Sequence, residues 1–181
     1  MTEQSATWRL ELRRAGEGEH TLSGLVMPYG VVSHRTEHAG GERFLPGAFA
    51  GATANAKQIR LTDSHLPGQA RRPVGVATEF REAPEGLLGS FRFYDTPEGR
   101  GAYENVAEGT YGGLSVGFTP RRERVAADGV REVLEARLFH VSLVDEPAYQ
   151  EARVLAVRDA EDALTSEIAG LLQRDWSKVW R

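Results

Sequence analysis

Cysteine is missing altogether from this 181-residue chain, which excludes disulfides and thiolate metal sites. Excess positive charge is missing too. Twenty-two Lys and Arg stand against 26 Asp and Glu, for a net charge of −4, whereas a nucleic-acid-binding surface needs clustered cationic side chains. No apolar run approaches the roughly 18 residues of a membrane span. The polar opening MTEQSATWRLELRR is not a signal peptide, so the protein is expected to stay where it is made. Repeats, low-complexity tracts and a convincing internal domain boundary are also absent. What is there, 40% apolar and 27% charged residues, suits a globular domain with a real hydrophobic core.

The first half reads as strands and loops. TWRLELRR alternates Trp8, Leu10 and Leu12 with polar neighbours, the period of a half-buried strand. TLSGLVMPYGVV reads as a second strand, FLPGAFAGATANA as a turn and short helix, and KQIRLTDSH as a strand ending in a loop that carries His65. Two alternating segments flank the turn signal APEG and predict a hairpin. PEGRGAYENVAEG has helical spacing and ends at Gly109. YGGLSVGFTPRRERV and VREVLEARLFHVSLV read as two further strands joined by AADG. From Asp159 onward, Leu164, Ile168, Leu171, Leu172, Val179 and Trp180 fall near one face of a long helix. The expectation is an α+β domain, a mainly antiparallel β-barrel surrounded by helices, with residues 1–158 as the domain and 159–181 as an amphipathic helix. Trp176 and Trp180 of that helix either pack on the domain or mediate assembly.

A serine is a useful nucleophile only when a base takes its proton and donors stabilise the oxyanion. With nine serines and five histidines, composition selects no pair, so context must. Ser115 lies among Gly112, Gly113 and Gly117. Those glycines signify either a bulge or strand crossing, or clearance for a substrate backbone. His20 and His34 have polar, loop-like surroundings and are expected in solvent. His34 and His38 have the i, i+4 spacing of a metal pair, but the intervening RTE and the following GG favour a surface loop. His65 begins a loop where a base can face a cleft. His140 alternates with Leu138, Ser142 and Val144 and shares a sheet face with them; a lone histidine there is usually a core residue hydrogen-bonded to something buried, and one natural partner is a second histidine. No metal or cofactor is expected.

The order of GLVMPYG (24–30), ERFLPGAF (42–49), the His65 loop before PVG (73–75), GLLGSFRFYDTPEGRGAYENVAEG (86–109), GGLSVGF (112–118) and VSLVDEPAYQEARV (141–154) resembles the prohead proteases of tailed bacteriophages. These are capsid-maturation serine proteases distantly related to herpesvirus assemblins. The resemblance implies an assemblin-like barrel with Ser115 as nucleophile, His65 as general base and His140 as third member. Phage members often carry glutamate at the His140 position, so this chain resembles the herpesvirus Ser-His-His arrangement there, with Asp63, Glu135 and Asp145 as alternative third members. Backbone N–H groups near Gly113 or in VDEPAY are candidate oxyanion donors. Arg121 and Arg122 either assist them or form a solvated turn.

On that resemblance the substrates are capsid protein and scaffold segments, cut inside the assembling prohead in the bacterial cytoplasm. A homo-oligomer is expected, with no nucleic-acid or membrane partner. Two other classes stay open at this point. One is a catalytically silent assembly domain of the same fold, suggested by His140 in place of glutamate. The other is a hydrolase of small esters, which calls for a deep enclosed pocket instead of a groove for extended peptide.

Overall fold

The segments flanking APEG fold as the expected hairpin in a computed structural model that describes residues 11–12, 20–33, 35–36, 38–63 and 72–159. Strands β5 (Pro73–Ala83) and β6 (Gly86–Phe93) pair antiparallel from Gly75 opposite Phe93 to Ala83 opposite Gly86. The other edge of β6 pairs with β2 (His20–Pro28). Helix α2 (Pro97–Ala107) packs on β5 and β6. Its start is written in the sequence: the Thr96 hydroxyl accepts from Gly99 N–H at 3.1 Å, Pro97 opens the first turn and Glu98 lies near the positive end of the dipole.

The expected helix in FLPGAFAGATANA is brief: α1 (Ala50–Thr53), followed by a 3₁₀ turn at Ala56–Gln58. It lies between β3 (Glu42–Phe44) and β4 (Arg60–Thr62). The two strands around AADG are β7 (Gly113–Val125) and β8 (Arg131–Val144), paired antiparallel along their length. Strand β9 (Arg153–Asp159) pairs with β2 and meets β7 at Gly113 opposite Arg153. The short β1 (Glu11–Leu12) runs parallel beside β9.

The path β9-β2-β6-β5-β4-β8-β7 thus returns to β9, closing a seven-stranded barrel. Its seams are antiparallel except between β4 and β8. Strands β3 and β9 were not expected, because ERF is short and RVLAVRD merges into the acidic start of the helical pattern. The domain is also mostly β: among the described residues α1 and α2 are the α-helices, not a surrounding ring. The helix expected over 159–181 lies, apart from Asp159 at the end of β9, outside the described residues.

Leu22, Leu61, Leu87, Phe91, Leu114 and Leu143 are almost fully buried in the core. At one end Phe44 stacks on Phe49 with ring centroids 5.1 Å apart and meets Phe118 edge-on at 4.9 Å. An ion cluster ties β3 to β7 and β8. Glu132 accepts from Arg43 and Arg124, each at 2.6 Å, while Arg131 reaches the buried Glu42 at 2.5 Å.

Candidate active site

Directly opposed residues of an antiparallel pair share a face, and faces alternate along each strand. Ser115 opposes Ser142, and Gly117 opposes His140. Leu114, Val116, Val141 and Leu143 take the intervening positions and are buried in the core. The opposite face therefore carries Ser115 and His140, both half-buried. Strand β4 extends the same rows, with Arg60 beside His140 and Thr62 beside Ser142. Thr62 Oγ1 and Ser142 Oγ are hydrogen-bonded at 2.8 Å. Ser115 and His140 are diagonal neighbours, about 7–8 Å apart at the backbone.

The glycines around Ser115 have separate reasons. A Cβ built on Gly117 falls 2.0 Å from His140 Cε1 and 2.5 Å from Nδ1, so the imidazole lies over that glycine. A Cβ on Gly113 falls 2.6 Å from Pro147 Cδ, where the DEPAY turn packs down. Gly112 alone of the three opens to free space. The reading of all three as clearance for substrate is corrected: two of them make room for the protein's own side chains. The bulge reading holds as well. The ladder shifts register between Gly117 and Phe118, opposite His140 and Leu138, and leaves Phe139 44% exposed. Bulges re-aim side chains in this way near active sites.

His65 lies outside the described residues. The chain leaves β4 at Asp63 and returns at Arg72, whose backbone exchanges bonds with Asp63: Asp63 N–H to Arg72 O at 3.2 Å, and Arg72 N–H to Asp63 Oδ1 at 3.3 Å. Asp63 thus closes the neck of the His65 segment. Asp145 is exposed and caps the N–H of Glu146 at 2.9 Å. Glu135 lies beyond the bulge, exposed and 3.7 Å from Arg121. It helps line a cavity of about 360 Å³ against α1 and the 3₁₀ turn, which Ser115 does not line. Arg121 and Arg122 are exposed, but they lie on strand β7 and not in a solvated turn. Gly113 is paired to Val144 on one side and Arg153 on the other.

His20 is corrected: it stacks on Tyr103 of α2 with centroids 4.0 Å apart instead of standing in solvent. His38 is exposed, and His34 is outside the described residues. The hydroxyl pair beside Ser115, Thr62 and Ser142, is not singled out by the sequence. The polar signal was present, a lone serine amid the apolar VSLV and a threonine closing RLT, but nothing local joins segments 80 residues apart.

The model of the caudovirus prohead serine protease family matches residues 8–166. The chain belongs to that family. It is accordingly a serine protease of phage capsid maturation. Comparison with curated proteins yields no sequence match. Among solved structures the protease is similar to the KSHV protease in complex with a hexapeptide phosphonate inhibitor. The TM-score is 0.50 at 14% identity, covering 89% of this chain and 74% of that one. At that identity the likeness concerns the fold, and it supports the herpesvirus-protease-like barrel. The prohead protease carries Ser115 on the longest ladder of that barrel, between β8 and the closing strand β9.

Proposed function

We propose that the protein is the endopeptidase that cuts capsid protein, scaffold segments and itself during prohead maturation, with Ser115 as nucleophile. The observation that carries this reading is the face of β7 and β8. Ser115 is half-buried beside His140, whereas its cross-strand neighbour Ser142 is 0% exposed and bonded to Thr62. Of the two serines, only Ser115 is open to a peptide.

His65 is the general base and His140 orients it. Ser115 and His140 are diagonal neighbours on one face, an arrangement that supports a base shared between them. The order Ser115, His65, His140 makes the third member a neutral ring. An anionic third residue both fixes the base and stabilises the imidazolium; in a Ser-His-Asp enzyme, its replacement by asparagine costs about 10⁴ in rate. A neutral histidine orients without that charge, so turnover is slow. Confinement in one shell offsets slowness, since effective concentrations there reach about millimolar. Residues 1–158 form the protease domain, and the enzyme works as a homo-oligomer inside the prohead without nucleic-acid or membrane contact.

The test co-expresses the neighbouring capsid protein with wild type, Ser115→Ala and His140→Ala. Shortening of the capsid protein by wild type alone is expected. Equal shortening by Ser115→Ala defeats the nucleophile assignment, and full activity of His140→Ala defeats the third-member assignment. Both imidazoles must be neutral at rest, so the rate is expected to fall as pH drops through the ordinary imidazole range near ~6.5. A rate constant down to about pH 5 contradicts the pair.

A further inference from the structure

Thr62, Ser142 and Ser115 stand in one row across β4, β8 and β7. Exposure divides the row: Ser115 is half-buried, while Thr62 and Ser142 are 4% and 0% exposed. Peptide cannot reach the inner two hydroxyls, and Val141 and Leu143 on either side of Ser142 are core residues. A serine and a threonine kept in such a place need a reason beyond solubility.

We propose that Thr62 and Ser142 are positioning residues for Ser115, an inference that rests on the reading of Ser115 as nucleophile. The 2.8 Å bond between their hydroxyls holds Ser142 in one rotamer directly beside Ser115. It also selects a register. Strand β4 has three residues, and its parallel ladder with β8 has three pairs. A one-residue slip turns every side chain of a strand to the other face, which here would expose Leu61, now 0% exposed, and separate the two hydroxyls. Buried hydroxyls without partners are strongly disfavoured, so the bond and the burial of Leu61 select the same alignment. The strand that runs on towards His65 in the sequence, the strand of His140 and the strand of Ser115 are thereby held in one frame. Displacing a reacting group by about 1 Å can cost about 10²-fold in rate.

The experiment uses the full chain with Thr62→Val, Ser142→Ala, the double substitution and Thr62→Ser. Each is reacted with a fluorophosphonate, the labelled serine is mapped, and the rate is taken per folded molecule alongside the thermal midpoint. Thr62→Val and Ser142→Ala are expected to slow labelling of Ser115 by about 10–100-fold. The double variant should slow labelling by less than the product of the two single effects, because both remove the bond that the pair shares. Thr62→Ser, which keeps the hydroxyl, should restore the rate. Labelling at the wild-type rate in both single variants, with only the midpoint lowered, overturns the proposal and leaves the pair a structural one. Should Thr62→Val not fold, Thr62→Ser against Thr62→Ala decides, and equal labelling rates overturn the proposal. A wild type labelled elsewhere than Ser115 overturns the nucleophile reading itself, a result separable from the others.

Discussion

Gly117 shows how one missing methyl shapes the site. The His140 ring occupies the space a Cβ would take, so Gly117→Ala must push the imidazole off the strand. Overpacking of this kind costs typically about 1–3 kcal/mol. The larger effect is expected on chemistry, because the displaced ring is the one proposed to orient the base. Peptide cleavage by Gly117→Ala should fall at least about tenfold at a thermal midpoint only modestly below wild type. Unchanged kcat/KM would show that the ring over Gly117 has no bearing on catalysis. Gly112→Ala is the control, since its Cβ meets nothing within 4 Å.

At the scale of elements, the ion cluster between β3, β7 and β8 has a consequence for acid stability. Hydrogen bonds from Arg43 and then Arg124 hold the Glu132 carboxyl below its ordinary value of 4.5. A carboxyl lowered on folding stabilises the native state above the unfolded-state value, and that contribution is lost as pH falls through the lower folded value. Denaturant midpoints should therefore drop as pH goes from about 5 towards 3, and Glu132→Gln should flatten that drop while lowering the midpoint at neutral pH. A variant as acid-sensitive as wild type would place the titrating group elsewhere. The aromatic end of the barrel is a separate element. Phe49 is fully buried against Phe44 and Phe118, and Phe49→Ala should cost about 3–5 kcal/mol of unfolding free energy by denaturant titration.

For the whole molecule, closure is the decisive property. Strand β9 pairs with β2 along most of its length and touches β7 at Gly113 beside the site. A chain ended after Gln150 loses this strand, leaving edges of β2 and β7 unpaired, and unpaired edges template aggregation. Such a truncation is expected to lose near-ultraviolet circular dichroism and to aggregate. A soluble monomer with native near-ultraviolet signal would mean the barrel does not need β9 to close.

Local pattern determined a good part of this protein. The turn signal APEG placed the β5–β6 hairpin, and helical spacing ending at Gly109 placed α2, because these signals act within a few residues. The ordered motifs around Ser115 led to the family by resemblance. Other features depended on contacts between distant segments. RVLAVRD became a strand because β2 offered it an edge, not because its own pattern outweighed the helical one that follows. Gly113 and Gly117 acquired their meaning from Pro147 and His140, which reach them across a ladder. Thr62 and Ser142 became a pair only when β4 and β8 aligned, 80 residues apart in sequence. Periodicity sets which face a side chain takes, but only the closed barrel decides which other side chain it meets there.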